Sequence, residues 1–345
     1  MNIQLSDHFT YAKLARFTIP SIGMMLFTSI YGIVDGIFVS NFVGKTAFAA
    51  VNLIMPFLMI FGALGFMIGT GGTALISKTM GEGKQDKANE LFTMLIAISA
   101  LLAAVLTVLG TVFMRPVAIF LGAEGQMVED CVVYGRLLMS TLVFFILQNE
   151  FQSFCVAAER PRFGLVITVA AGVTNILLDA LFVGLFRWGL IGAGAATAIS
   201  QLVGGVVPLV YFALPNPSPL GLRRFSFDGR ALWRSCTNGS SELVSNLSLS
   251  LVSMLFNVQL LRLAGEDGVA AYGVIMYTNF IFVGGVSGLR PWRGPGGELP
   301  LRRGKPGGAP EPAEKEPCHH RGVGRGADRG GGAAGPHPFR HFRQL

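Results

Sequence analysis

Charge is what this sequence most lacks. Only 14% of its 345 residues are Asp, Glu, Lys or Arg, where a soluble globular domain carries about 25%, and 51% are hydrophobic. That balance excludes a water-soluble globule and predicts a polytopic membrane protein. The net charge of +7 does not alter this. Residues 1–288 hold 16 Lys/Arg against 15 Asp/Glu, while residues 289–345 hold 11 against 5. The basic excess therefore belongs to the tail, and nucleic acid is not expected as a partner. Cysteine is scarce as well. Cys131, Cys155, Cys236 and Cys318 have neither metal-ligand nor disulfide-framework spacing, so free thiols are expected. No H-E-x-x-H, G-x-S-x-G or paired metal-ligand motif occurs, which argues against a membrane-embedded enzyme, and no cofactor is expected. The N-terminal apolar run is too long for a cleavable signal, and no A-x-A-like site follows it.

What is present is a succession of long apolar runs. Phe17–Val39 is 23 residues with one charge, long enough at 1.5 Å per residue to cross a hydrocarbon core of about 30 Å. Further spans are expected at 48–76, 91–114, 134–157, 163–186, 190–214, 242–263 and 269–286. Asn41–Lys45 and Lys78–Glu90 read as loops, and Pro215–Asn238 as a polar connector. The patch Gly62, Gly65, Gly69, Gly71 and Gly72 has no strand before it, so close helix packing is a better reading than a nucleotide loop. Lys and Arg cluster on one side, at 13 and 16, 78, 84 and 87, 160 and 162, and 223, 224, 230 and 234. The other side has Lys45, Arg115, Arg187 and Arg262, which predicts a cytoplasmic N-terminus and connector.

A carboxylate at mid-span costs roughly 2.5–3.5 kcal/mol on insertion scales, so Asp35 should face protein or a water-filled cavity. Its alternatives are a packing hydrogen bond or a place near the interface. Glu150, following Gln148 and Asn149, is either cavity-lining or packed. Glu242 is either functional or a solvated helix end, and Asn257 is a further candidate for the cavity wall. Met24, Met25, Phe57, Met59, Phe144 and Phe145 could line a soft cavity, although such residues more commonly face lipid or neighbouring helices. A weak internal repeat relates Gly44–Ala50 to Gly265–Ala271, an offset of 221 residues enclosing six spans. An even number of spans makes the two copies parallel, related by an axis along the membrane normal. From Ser287 the hydrophobic periodicity stops and Gly, Arg and Pro dominate. Residues 287–345 are therefore expected to be an out-of-frame, disordered tail, the rival reading being a basic binding arm.

Four stretches, IPSIGMMLFTSIYGIVDGIFV, ISKTMGEGKQDKANELF, NILLDALFV and GEDGVAAYGVIMYTNFIF, resemble the multidrug and toxic compound extrusion (MATE) transporters, nearest their MepA-like bacterial branch. The resemblance covers residues 10–288. It implies an all-α polytopic fold with a six-helix N-terminal lobe over residues 1–214. Residues 215–238 would be a cytoplasmic connector, and 239–286 the first two helices of a second lobe. It further implies export of organic cations or other amphiphilic drugs across the cytoplasmic membrane in exchange for H⁺ or Na⁺. Surrounding lipid and a monomeric state are expected. By the same resemblance Asp35, Asn175, Asp179 and Thr197 form the cation or proton site, able to hold Na⁺, and Pro20 bends the first span. Asn175 and Asp179 are four residues apart, hence on one helix face, and two neighbouring carboxyls could share a proton. For Asn175 and Thr197 the alternative is a local hydrogen bond to helix backbone. Lacking most of a second lobe, this chain is expected to be an incomplete, inactive copy. The rivals are a lipid-linked saccharide flippase of the same superfamily and a non-transporting scaffold.

Overall fold

The computed structural model describes Gly23, Met24, Phe27, Thr28 and residues 30–288, with side chains as far as Met276. Pro20, Met25 and the tail from residue 289 lie outside the described residues. Every regular element among those described is helical, as expected where no water is at hand to pair backbone groups and each segment must satisfy its own. The helices are α1 (Ile30–Val43), α2 (Lys45–Gly81), α3 (Gln85–Phe120), α4 (Gln126–Ser140), α5 (Leu142–Ala157), α6 (Pro161–Leu185) and α7 (Gly189–Ala213). A final helical stretch, Gly229–Gly288, is broken at Gly265 (φ 61°, ψ −154°) into α8 (229–264) and α9 (266–288).

Several expected boundaries move. The loop expected over Asn41–Lys45 shrinks to Gly44, whose φ of 122° only glycine adopts without strain. α1 continues into it as a π-helical turn, Val39–Val43. The charged segment Lys78–Glu90 is not a loop throughout: α2 runs to Gly81 and α3 starts at Gln85. Charged residues at helix ends outside the apolar run are still good helix formers, so the helices outlast the hydrophobic signal. The fourth span is not straight. α4 and α5 meet at Thr141 with a bend of 59°. The Thr141 hydroxyl donates to Gln201 of α7 at 2.7 Å, which braces the bend from outside the span. The connector also shortens, because α8 begins at Gly229. The Asp228 carboxylate accepts from the backbone N–H groups of Arg230 (3.1 Å) and Ala231 (3.0 Å), capping the helix.

α2 is the central element, packing against α3, α4, α5 and α8–α9. One apolar cluster, at its Gly44 end, gathers Phe48, Leu53, Met114, Tyr134, Met139 and Val269. A second, at the connector end, holds Ile76, Phe92, Leu95, Phe154, Phe212 and Leu220. The glycine patch of α2 explains the close approach. A Cβ on Gly71 would collide with the Ser235 carbonyl oxygen of α8 and stand 2.7 Å from the Gly239 nitrogen; one on Gly239 would strike the Met67 carbonyl. On the opposite side, exposed Leu101, Val105, Val108 and Val112 of α3 form the kind of apolar face that lipid covers.

The internal repeat has a structural counterpart. Under the 221-residue offset Lys45 corresponds to Glu266 and Thr46 to Asp267. Lys45 pairs with Asp267 at 2.7 Å, and the Thr46 hydroxyl donates to Glu266 at 2.8 Å. Each residue thus meets the counterpart of its neighbour, the reciprocal pattern that a two-fold axis produces. Asn52 and its own counterpart Gly273 also touch.

Gly71→Ala is expected to lower the stability of the purified protein by about 1–3 kcal/mol, since two backbones must part to admit a methyl group. Gly81→Ala, with nothing within 4 Å of the new carbon, should be neutral or stabilising by up to about 1 kcal/mol. Thermal melts in detergent measure both.

Candidate functional site

α1 lies along α6, and the contacts run in step. Gly164 of α6 receives Met24, Gly172 receives the rings of Phe27 and Tyr31, and beyond them Asp35 reaches Asp179. The order ascends on both helices, so the two run parallel. The glycines let the side chains of Met24, Phe27 and Tyr31 sit close against α6, beside the point where the two acids meet. A Cβ on Gly172 would stand 2.6 Å from Phe27 and 2.8 Å from Tyr31. Met24 is consequently buried here and does not line a cavity.

The Asp35 and Asp179 carboxyls face each other within hydrogen-bonding reach. Asp35 is 6% exposed and Asp179 fully buried. Neither Asp179 oxygen, nor Asp35 Oδ1, receives a hydrogen bond from any described donor. Asn175, one turn before Asp179, donates from Nδ2 to the Thr197 hydroxyl of α7 at 3.4 Å, and its own carbonyl oxygen is left unpaired. Thr197 in turn donates to the Ala193 carbonyl at 3.1 Å. The local backbone bond is therefore real for Thr197, yet the same hydroxyl also joins α6 to α7. Asp179 stands directly before a π-helical turn, Ala180–Leu185, and Asp35 lies about one helical turn before another, Val39–Val43. Such turns recur inside α-helices at functional sites.

Two carboxyl groups in contact and sealed from water repel strongly if both are ionised. A proton shared between them, or a cation set among their oxygens, removes that repulsion. The four unpaired acceptors of Asp35, Asp179 and Asn175 suit either, since all are hard oxygen donors.

Three consecutive residues of α5 point to three different neighbours, as a 100° step per residue requires. Gln148 lies against Gly204 of α7 and beside the Tyr31 hydroxyl, so it adjoins the acid pair. Asn149 faces Gly62 and Gly65 of α2 and donates to the Gly62 carbonyl at 3.5 Å. Glu150 is fully buried against Gly69 and accepts from the Ser99 hydroxyl of α3 at 3.2 Å. It therefore sits in a helix seam and not on a cavity wall. Glu242 is half-buried and well inside α8, not at a helix start. Asn257 is buried and donates to the Asn52 carbonyl at 2.7 Å, tying α8 to α2. A separate small pocket is lined by Met55, Met59, Met139, Phe145 and Gln201 among others.

Tyr31 and Ser99 were not among the expected site residues. Tyr31 precedes Asp35 by four positions and so shares its helix face, a signal that the sequence did carry. Ser99 is a small polar residue in an apolar run, and nothing in its spacing points to Glu150.

Paired replacement Asp35→Cys/Asp179→Cys, with the native cysteines changed to serine, is expected to hold one Hg²⁺ per chain against a competing monothiol. Either single replacement should release it. Intact-mass measurement reads the difference, and equal release from all three would show that the side chains are not neighbours.

The family model MatE matches residues 20–181. The multidrug export protein MepA of Staphylococcus haemolyticus (strain JCSC1435) is 22% identical over 286 residues. MepA of Staphylococcus aureus (strain MRSA252) is 24% identical over 298. Each match covers 81% of this chain and 63% of the relative, so the chain spans less than two thirds of the proteins it resembles. A solved inward-facing multidrug resistance MATE family transporter of the MOP superfamily superposes with a TM-score of 0.71 at 21% identity. That likeness covers 80% of this chain and 67% of the other. The chain is thus an all-α polytopic membrane protein whose residues 20–181 match the MatE family model and whose fold is similar to that of a solved MATE transporter.

Proposed function

We propose that α1–α7 form the cation-binding lobe of an exporter that moves amphiphilic organic cations across the cytoplasmic membrane in exchange for H⁺ or Na⁺. The observation that carries this is the contact of Asp35 with Asp179 in the interior of the bundle. Asp35 and Asp179 would hold the coupling ion, Asn175 would lend its free carbonyl oxygen, and Thr197 would orient the Asn175 amide. An ion binding there joins α1 to α6; its departure leaves two like charges that drive them apart. The ion shifts the helices only by the difference in its affinity for the two arrangements, and the π-helical turns beside both acids are segments able to absorb such a shift.

The character of the interior supports a cationic cargo. Among the described residues the buried ionisable carboxyls are Asp35, Glu150 and Asp179, and no Lys or Arg is buried. A pyrophosphate-linked lipid would call for the opposite sign, which disfavours the flippase reading. Met55, Met59 and Met139 around the small pocket between α2, α4, α5 and α7 are side chains of the adaptable kind that suits varied apolar groups. The excess of Lys and Arg at the connector end supports a cytoplasmic placement of that end. The relatives that are named multidrug exporters support the same activity.

Transport is assigned to the two-lobed protein that the repeat calls for. The change of composition from Ser287 supports the inference that this chain does not complete the cycle alone. In an efflux-deficient host, a version with the reading frame restored beyond Ser287 is expected to confer drug resistance, and the 345-residue chain is not. Equal protection by the two would refute the inference of inactivity. In the restored protein Asp35→Asn or Asp179→Asn should return resistance to the vector level. Asn175→Ala or Thr197→Ala should cost about 2–10-fold in efflux rate, the worth of a single hydrogen bond. Full activity in both aspartate variants would refute the assignment of the site.

A further inference from the structure

Glu150 takes no part in the site just described, although it is the most deeply enclosed acid beside Asp179. Its side chain is fully buried and reaches Ser99 of α3, while its backbone lies against Gly69 of α2. The Ser99 hydroxyl, itself 1% exposed, donates to Oε1 at 3.2 Å, while Oε2 receives nothing from any described residue. Gly69 covers it from α2 so closely that a Cβ there would stand 3.0 Å from the Glu150 Cα and carbonyl oxygen.

The charges around it can be named. α2 has no ionisable side chain between Lys45 and Lys78, and α3 none between Glu90 and Arg115. α5 has only the Cys155 thiol besides Glu150, and α7 only Tyr211. Asp35, Tyr31 and Asp179 belong to the other face of α5, where Gln148 stands between. Thus no described cation reaches Glu150, and one hydroxyl satisfies one oxygen.

We propose that Glu150 is a second proton-holding site, separate from the Asp35–Asp179 pair and built into the α2–α3–α5 seam. An ionised carboxylate enclosed without counter-charge is too costly to persist, and a proton on the unpartnered Oε2 neutralises it without the further oxygen ligands that a metal ion needs. Protonated, Glu150 has an O–H to offer and an oxygen for Ser99; ionised, it would have to draw water between α2 and α5. Gly71, half a turn beyond Gly69, is where α2 meets Ser235 of α8. Proton release from Glu150 would accordingly loosen the helix that carries the contact between the bundle and α8.

The test needs no transport activity, so it stands or falls apart from the exporter assignment. The full chain carrying Asp35→Asn and Asp179→Asn, reconstituted in lipid near neutral pH, should show the infrared carbonyl stretch of a protonated carboxyl. Glu150→Gln, which keeps size and shape, should abolish that band. Ser99→Ala should shift it without abolishing it, which guards against a misfolded Glu150→Gln variant. Absence of the band in the parent, or its survival in Glu150→Gln, would overturn the proposal. So would its disappearance when Na⁺ replaces choline at constant pH, because the occupant would then be a metal ion.

Discussion

Two carboxyl groups held against each other and almost wholly buried form an arrangement that no described residue neutralises. Asp35 and Asp179 are in that position, and the geometry around them makes sense as its support. The glycines of α6 admit the α1 side chains at Gly164 and Gly172, which sets the separation of the helices. Asn175 and Thr197 link α6 to α7 on the next face. Under the proposed reading, a proton or cation between them would relieve the repulsion and clasp α1 to α6, and its departure would release that clasp.

The same economy of side chains governs α2. Its glycines face α5 at Gly62, Gly65 and Gly69, α3 at Gly72 and α8 at Gly71, so the backbones of α5 and α8 and the Leu95 side chain of α3 approach closely. In lipid, where apolar side chains gain nothing by leaving their surroundings, such packing is what holds helices together. The price is sensitivity, since any group added on that helix is felt on several sides. Charge is correspondingly absent from its middle, and the one acid pressed against it, Glu150, meets a hydroxyl and bare backbone.

Much of this was legible in the order of residues. The apolar runs located the helices, and the four-residue spacing of Asn175 and Asp179 placed them on one face. The helix limits were less legible. α2, α3 and α8 all extend past their apolar runs, because a helix ends where its backbone can no longer continue and not where its hydropathy falls. The bend at Thr141 had no proline or glycine to announce it; a partner 60 positions away, Gln201, holds it. Glu150 was visible as an intramembrane acid, but its neighbour Ser99 was not.

By itself, the sequence determined that this chain lives in a membrane, that it is helical and that a few acids within it need explaining. Those properties are additive over residues in a row: hydropathy, periodicity and the cost of a charge in lipid. Only the tertiary structure decided that Asp35 meets Asp179, that Glu150 turns away from them, and that Lys45 and Thr46 find the counterparts of each other across the repeat. Contacts of that kind depend on how far one helix can sink into another, which is set by glycines and bends acting jointly across the bundle.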